Sequence, residues 1–482
     1  MELTPQQLLN GLRNAKDQSR QDMGVDILRR LILETQTNPK VLGNDWEEVL
    51  GYALAFADED SAVEVAKRLV DTFPNNARHV MTLAERYSRV GESEFALELI
   101  NRLDKALPNN PAVNYFQGVY SGHVGKLEDA KFYFRKAVKQ KADFGDGWAM
   151  LAASGGLTDN DLQTLTSLTD GSNNQSMPGA AYALGTLYHA QGDAEAAWDA
   201  WSKANAFQRV NKTFNRDGEI AAHKAVAEAD QKIPASSRGS DFPNPLPKSI
   251  FIVGLPRSGT SLTEQIFAQQ PMVRPLGETM ISRVSTWPLG NLQPVDLAMS
   301  GVYNDGETEI WDKLGGIYRF CAGGRTKGET HVTDKGALLH LFVGALARAL
   351  PEAKFVWVRR DPRDIALSAF RAHLSDGKRW RHDLADMAAY MQAHEELMMY
   401  WQNRFPDRIL ELRYENLVQT PQVEIDRLMT FAELPGLDIN GVDFTGATVG
   451  TASFAQIRSK ISPASVGGWK RYQKHIAPHF GG

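Results

Sequence analysis

A glycine-rich loop is the strongest chemical signal in the sequence. Residues 251–262 read FIVGLPRSGTSL, and the two glycines have the spacing of a phosphate-binding loop. Thr260 stands where nucleoside triphosphatases carry lysine, and Arg257 lies inside the loop instead. An apolar strand, a tight turn and a helix start together aim backbone N–H groups at an anion, and a guanidinium adds charge-assisted hydrogen bonds. We therefore predict an anion site built from Arg257, Ser258, Gly259, Thr260 and Ser261.

A second basic segment follows another β-rich run, about 100 residues further along the chain. The run AKFVWV (353–358) leads into Arg359 and Arg360, and then Asp361. A kinase or nucleoside triphosphatase needs a loop lysine and a strand-ending aspartate that holds Mg²⁺. Two arginines at this point repel a metal ion and attract another phosphate. The sequence therefore predicts two anion sites and no metal site, which suits a nucleotide phosphorylated at both its 5′ and 3′ ends.

The first half of the chain carries a 34-residue period. Pro74-Asn75-Asn76 recurs as Pro108-Asn109-Asn110, and Gly91 recurs as Gly125. The pattern resembles the tetratricopeptide repeat (TPR) over about residues 10–210, in which stacked helix pairs bury faces that one pair cannot bury alone. An irregular helical bundle is the alternative. The clear copies are 77–110, 111–144 and the one that begins near Pro178, and degenerate copies are 43–76 and 145–177.

A different pattern begins after a proline-rich linker. Residues 233–248 contain four prolines and few apolar residues. After it, β-rich runs at 248–254, 353–360 and 408–414 alternate with helix-like stretches, which favours a parallel sheet covered by helices. We therefore predict a multidomain chain, with an all-α TPR solenoid over 1–235 and an α/β domain over 240–482.

Composition excludes several classes of protein. The chain has 482 residues with 53 basic and 58 acidic side chains, so nothing in its overall charge favours nucleic-acid binding. One cysteine, Cys321, rules out an internal disulfide. The first twenty residues lack the apolar core of a secretory signal, and His340 and Arg348 interrupt the most apolar stretch, 336–350. The expectation is a cytoplasmic protein without a membrane span, and its oligomeric state cannot be read from the sequence.

The two anion motifs together resemble a known family. PRSGTSL (256–262) and RRDPRDIALSAF (359–370) look like the sulfotransferases that use 3′-phosphoadenylyl sulfate. TDKG (333–336), LRYENL (412–417), TASFAQIR (451–458) and VGGWKRY (466–472) strengthen the resemblance. The most similar group is the bacterial TPR-linked sulfotransferases, which are related to tyrosylprotein sulfotransferases. The resemblance covers about residues 248–472 and implies a P-loop-like sulfotransferase domain.

The resemblance also implies roles for single residues. The loop from Arg257 to Ser261 would bind the 5′-phosphosulfate, and Arg360 with Ser368, eight residues later, the 3′-phosphate. Glu278 would be the general base that accepts the acceptor hydroxyl's proton, with His331 as the rival base. Lys335 would neutralise charge on the bridging oxygen of the leaving group.

Three further positions match with less support. Tyr414 would lie near the nucleotide, and Ser453 would help to hold the leaving group. Many relatives carry an arginine directly before the tryptophan that matches Trp469, and Gly468 stands there in this chain. Arg471, or Lys470, is then the candidate for the remaining contact with the 3′-phosphate.

The sequence thus predicts transfer of a sulfuryl group from 3′-phosphoadenylyl sulfate to an acceptor hydroxyl. A protein or peptide tyrosine reached through the TPR region is one acceptor, and a carbohydrate or a small molecule is the alternative. Two other classes of function stay open: a P-loop kinase or nucleoside triphosphatase, and a TPR scaffold with an inactive second domain. The missing loop lysine weighs against the kinase, and the presence of Glu278 and Lys335 weighs against the scaffold.

Overall fold

The structure is a computed structural model, and it describes residues 3–17, 21–56, 58–170, 177–211, 213–234, 236–241, 246–286, 308–336, 338–374, 379–441 and 461–481. Helices fill the part before the first strand. They are α1 (Pro5–Asp17), α2 (Gln21–Glu34), α3 (Asp45–Ala55), α4 (Glu59–Thr72), α5 (Ala77–Arg89), α6 (Ser93–Ala106), α7 (Pro111–His123), α8 (Leu127–Gln140), α9 (Gly145–Ala153), α10 (Leu162–Thr169), α11 (Met177–Gln191), α12 (Ala194–Asn211) and α13 (Arg216–Gln231).

The repeat predicted from the 34-residue period is confirmed as a series of helix pairs. Each predicted copy contains one pair, from α3–α4 to α11–α12. The recurring asparagines have a physical role, because the side chains of Asn76 and Asn110 accept hydrogen bonds from the first free N–H groups of α5 and α7. Gly91 and Gly125 turn the chain inside each pair at φ of 85° and 90°, a conformation that favours glycine.

The second half contains the sheet, and its strands and helices alternate as expected. The elements are β1 (Lys248–Val253), α14 (Thr260–Phe267), β2 (Val273–Pro275), α15 (Ile281–Val284), α16 (Thr308–Gly323), β3 (His331–Asp334), α17 (Leu339–Ala349), β4 (Lys354–Arg359), α18 (Pro362–Phe370), α19 (Leu384–Arg404), β5 (Ile409–Arg413), α20 (Tyr414–Gln419), α21 (Pro421–Phe431) and α22 (Gln473–Ile476). The strand order is β2-β3-β1-β4-β5, and every pairing is parallel. The three predicted strands are confirmed as β1, β4 and β5.

The topology brings both anion motifs to one place. After β1 the chain crosses to β2 on one side of the sheet, and after β4 it crosses to β5 on the other side. Ligands of open parallel sheets bind at such a point, outside the carboxyl ends of the adjacent strands. The glycine-rich loop follows β1 and Arg360 follows β4, so the two motifs meet there.

The last helix pair packs directly against the sheet domain. The ring of Trp198 in α12 stacks on Phe370 with a centroid distance of 4.7 Å, and Trp201 is fully buried. The amide nitrogen of Asn205 donates to the Phe370 carbonyl at 2.8 Å, also across this junction. The helical region and the sheet domain therefore share a core at α11–α12.

Helix α13 makes a second junction with the sheet domain. Its Asp230 carboxylate accepts hydrogen bonds from Tyr400 at 2.8 Å and from Arg404 at 3.1 Å, and it also pairs with Arg348. The division at 235–240 predicted from the linker stays a prediction.

None of the helices in the described ranges combines the length and the apolar character that crossing a bilayer requires.

Three buried histidines lie together at the α13 junction. Nε2 of His223 lies 3.0 Å from Nε2 of His340, and the rings of His340 and His394 are 4.6 Å apart. Burial lowers the pKa of all three, that of His394 to about 3, and the neighbouring imidazoles lower the pKa of His340 further. These rings are therefore neutral in the folded protein at neutral pH.

This cluster predicts a loss of stability in mild acid. The unfolded chain protonates these histidines below about pH 6.5, whereas burial keeps the pKa of each lower in the folded chain, so unfolding becomes easier by up to about 1.4 kcal/mol per pH unit for each histidine. Urea denaturation at pH 7.5 and pH 5.5 measures this slope. His394→Leu is expected to flatten it, and the exposed His479→Gln is the matched control. Equal slopes for His394→Leu and the original protein would contradict the account.

Candidate functional site

The glycine-rich loop has the backbone geometry of an anion cradle. Gly259 has φ of 112°, and a Cβ there would lie 2.6 Å from the Tyr414 ring, so only glycine fits. Arg257 also has a positive φ, 76°, which is uncommon for a bulky residue and marks a functional constraint. Helix α14 starts at Thr260, so the N–H groups of its first turn have no partner within the helix and can bind an anion.

The second motif is joined to the loop by hydrogen bonds. Arg257 Nε donates to Ser368 Oγ at 2.9 Å, and Arg360 Nη1 donates to the Arg257 carbonyl at 3.0 Å. The Arg360 guanidinium lies over the Tyr414 ring at 4.4 Å and also donates to the Ser465 carbonyl. The predicted 5′ and 3′ subsites are thus adjacent, with the Tyr414 ring beneath Arg360.

A cavity of about 640 Å³ opens between these elements. Gly259, Thr260 and Ser261 line it at the start of α14, together with Ser368, Tyr414 and Arg471. Among the described residues that line the cavity, Asp364 is the one with an acidic side chain. Its two carboxylate oxygens accept hydrogen bonds from the backbone N–H groups of Gly467 and Trp469. The guanidinium groups at its wall belong to Arg257, Arg360, Arg371 and Arg471.

The electrostatics of the cavity favour an anion. Burial, together with repulsion from Arg371 and Arg360, lowers the pKa of Arg257 to about 10. Burial likewise lowers the pKa of Arg371. Several cations held close together away from water repel one another, and an anion bound between them offsets this repulsion. Two polar atoms at the loop, Ser258 Oγ and Arg360 Nε, are buried without a hydrogen-bond partner among the described residues.

The predicted base and lysine form a second cluster, at the carboxyl end of β3. Lys335 directly follows this strand, and its Nζ lies 3.7 Å from Oε1 of Glu278 and 3.6 Å from Oε2 of Glu264. The Lys335 side chain is 2% exposed and Nζ donates no hydrogen bond within the described residues, whereas the Glu278 side chain is 45% exposed. A buried ammonium and an accessible carboxylate thus lie side by side.

The residues on both sides of Glu278 are fixed by hydrogen bonds. The Gly277 N–H donates to Glu264 Oε1 at 3.0 Å, and its carbonyl accepts the Lys335 N–H. Thr279 Oγ1 donates to the buried carboxylate of Asp334 at 2.7 Å. The loop is therefore anchored to β3 and α14, which fixes the backbone position of Glu278 beside Lys335.

Other predicted residues lie elsewhere. His331, the rival base, begins β3 opposite Lys248 at the start of β1, so it lies at the amino edge of the sheet, away from the loop. Trp469 is buried with Arg363 over its ring at 4.1 Å, and it does not line the cavity. Ser258 is fully buried as well, and it does not line the cavity. Ser453 falls outside the described residues.

Two residues of the site escaped the sequence analysis. Glu264 sits in the helix that follows the loop, and burial raises its pKa while Lys335 and the Gly277 N–H oppose that rise. Its neighbours Thr263 and Gln265 are also polar, so no local pattern marked Glu264 as a buried residue of the site. Arg371 follows α18, three residues after Ser368, so the helical period places both on one face.

Comparisons with known proteins find similarity to sulfotransferases. The model of the sulfotransferase family matches residues 247–438. An uncharacterized protein of Aquifex aeolicus (strain VF5) is 27% identical over 384 residues, 74% of this chain and 48% of that protein. A putative protein-tyrosine sulfotransferase of Caenorhabditis briggsae is 29% identical over 190 residues, 38% of this chain and 65% of that protein.

The chain thus spans about half the length of the first relative and a little under two thirds of the second, 48% and 65%. Among solved structures, the sulfotransferase domain of the Synechococcus PCC 7002 olefin synthase matches with 20% identity and a TM-score of 0.34, over 48% of this chain and 90% of that domain. Residues 247–438 therefore match the sulfotransferase family, and in this chain they follow a series of TPR-like helix pairs.

Proposed function

We propose that this protein transfers a sulfuryl group from 3′-phosphoadenylyl sulfate to an acceptor hydroxyl. One observation carries the proposal. Arg257 and Arg360, from two different motifs, line the same cavity as the amino end of α14. A donor with phosphate groups at both ends of its ribose gives each of these cationic positions an anion to bind. The buried, unpartnered Nε of Arg360, which lines this cavity, fits the same ligand.

Different residues of the cavity would bind the two ends of the donor. The first-turn N–H groups of α14 and the side chain of Arg257 hold the 5′-phosphosulfate, and Arg360 and Ser368 hold the 3′-phosphate. Tyr414 supports Arg360 from below, and Arg471 adds a further cation at the cavity wall. Gly259 leaves room for this close packing.

The reaction itself needs a base and a counter-charge. The acceptor oxygen attacks sulfur, the S–O bond to the 5′-phosphate breaks, and adenosine 3′,5′-bisphosphate leaves. Glu278 takes the proton of the acceptor hydroxyl, and Lys335 neutralises the charge that develops on the bridging oxygen. Ser453 would assist on the leaving side.

The P-loop kinase remains the weaker alternative. Its metal would need a free carboxylate after β4, but the Asp361 carboxylate accepts the Arg363 N–H at 2.9 Å and pairs with the Arg363 guanidinium, also at 2.9 Å. Thr260 also takes the place of the loop lysine. We therefore propose a donor site that works through amides and guanidinium groups and has no need of a metal ion.

We propose a protein or peptide tyrosine as the acceptor, with a carbohydrate or small molecule as the alternative. The relative from Caenorhabditis briggsae carries the name of a protein-tyrosine enzyme. Stacked helix pairs commonly bind peptides on their concave surface, so the repeat region offers a place for a protein acceptor. The cellular location that we propose remains cytoplasmic.

A transfer assay tests this function. The purified chain is incubated with sulfur-radiolabelled 3′-phosphoadenylyl sulfate and, in parallel, a tyrosine-containing peptide library, a polysaccharide mixture and simple phenols. Label on peptide tyrosine is expected, and Arg257→Lys, which keeps the charge but loses the planar fork, is expected to weaken donor use. Label found only on polysaccharide would exclude the tyrosine acceptor. Phosphate transfer from Mg²⁺-ATP in place of sulfate transfer would overturn the proposal.

A further inference from the structure

One side chain of the repeat region reaches the cavity of the sheet domain. His189 lies near the end of α11, the first helix of the last repeat pair, and it lines the same cavity as Arg257 and Arg360. Its position in the sequence is far from every motif of the sheet domain. Helix α11 therefore supplies part of the wall that surrounds the proposed donor.

Contacts from both parts of the chain hold the imidazole in place. Nδ1 of His189 lies 2.6 Å from the Tyr472 hydroxyl, and the two rings stack at 5.9 Å. The Trp201 ring of α12 also lies 5.9 Å from the imidazole, and it packs against Tyr472 at 5.4 Å. When Nδ1 accepts from the Tyr472 hydroxyl, Nε2 carries the hydrogen. The ring then presents one N–H donor that no described residue of the chain uses.

The charged groups around His189 are cationic. Arg371, at the end of α18, and Arg471, after Trp469, line the cavity beside it. Burial, together with repulsion from these two arginines, lowers the pKa of His189 to about 4. Two arginines and an N–H donor in one cavity match the three oxygens of a phosphate group. Ser368, one helical turn before Arg371, lines the same cavity.

We propose that the repeat region is part of the nucleotide site, with Nε2 of His189 binding the 3′-phosphate of the donor beside Arg371 and Arg471. The inference rests on the proposed function and deepens it. The 3′-phosphate is the group concerned because Arg371 and Ser368 share one face of α18, whereas the start of α14 is assigned to the 5′ end. The repeats then control donor affinity as well as any acceptor contact.

Calorimetry with two nucleotides tests this inference. Adenosine 3′,5′-bisphosphate carries the 3′-phosphate and adenosine 5′-monophosphate lacks it. His189→Ala is expected to weaken binding of the bisphosphate about 10- to 100-fold, the range for one hydrogen bond to a charged group, and to leave binding of the monophosphate within about twofold. His189→Gln, whose amide N–H lies near the position of Nε2, is expected to recover most of the loss.

A control variant separates contact from folding. His475 belongs to the same junction, since its ring stacks on Trp198 at 4.5 Å, but it does not line the cavity. His475→Ala is expected to leave both affinities unchanged. Equal losses for both nucleotides in His189→Ala, or no loss, would overturn the inference while the proposed function stands. If the original protein fails to bind the bisphosphate, the proposed function falls and the inference falls with it.

Discussion

Replacing Glu278 with glutamine is expected to reduce sulfuryl transfer by about 10²- to 10⁴-fold, the usual contribution of a positioned general base. Glutamine keeps the size of the side chain and removes its ability to accept a proton. Gly277 and Thr279 stay anchored through Glu264 and Asp334, so the loop should keep its shape. The measurement is kcat with radiolabelled donor, together with the affinity for adenosine 3′,5′-bisphosphate, which should not change.

The control for Glu278 is Glu433, another exposed carboxylate that pairs with lysines, Lys248 and Lys354, but at the amino end of the sheet. Glu433→Gln is expected to keep full activity. A Glu278→Gln variant with undiminished kcat would remove Glu278 from the chemistry. His331 is a poor replacement, because it lies at the same far edge as Glu433.

Replacing Lys335 with methionine is expected to lower kcat by about 10²- to 10³-fold, as loss of one preorganised group that stabilises developing charge does. Methionine fills most of the buried space of the lysine and removes the ammonium. The Lys335 side chain is 2% exposed and its Nζ lies close to two carboxylates, so its charge acts with little screening by water. Single-turnover kinetics with saturating donor measures the chemical step directly.

The loss must appear in the chemical step to support this role for Lys335. Lys327→Met, which removes an exposed lysine paired with Glu92, is the control and should leave kcat unchanged. Thermal unfolding of both variants reports whether Glu264, left buried without its partner, weakens the fold. A Lys335→Met protein that folds and turns over at the original rate would contradict the assignment.

Local patterns were sufficient to predict much of this fold. The 34-residue recurrence of Pro-Asn-Asn predicted the helix pairs, because the last asparagine of each motif caps the next helix. The long apolar runs predicted β1, β4 and β5. Strands β2 and β3 have three and four residues, too short for a periodic signal, and β2 ends on Pro275.

The site was predictable only where its residues stand inside motifs. Arg257, Arg360 and Ser368 were found by spacing, and the structure brings them into hydrogen-bond contact. His189 enters the cavity because α11–α12 packs on α18, a tertiary contact that no local pattern encodes. Glu264 was missed for a similar reason, because its partners Gly277 and Lys335 lie in the loops that follow β2 and β3.

The central claim is that one cavity binds a doubly phosphorylated adenine nucleotide through arginines and backbone N–H groups. Titration calorimetry in the presence of a metal chelator tests it most directly. The account predicts that adenosine 3′,5′-bisphosphate binds under these conditions, at least about tenfold more tightly than ATP. Binding of ATP that requires Mg²⁺, with none of the bisphosphate, would contradict it.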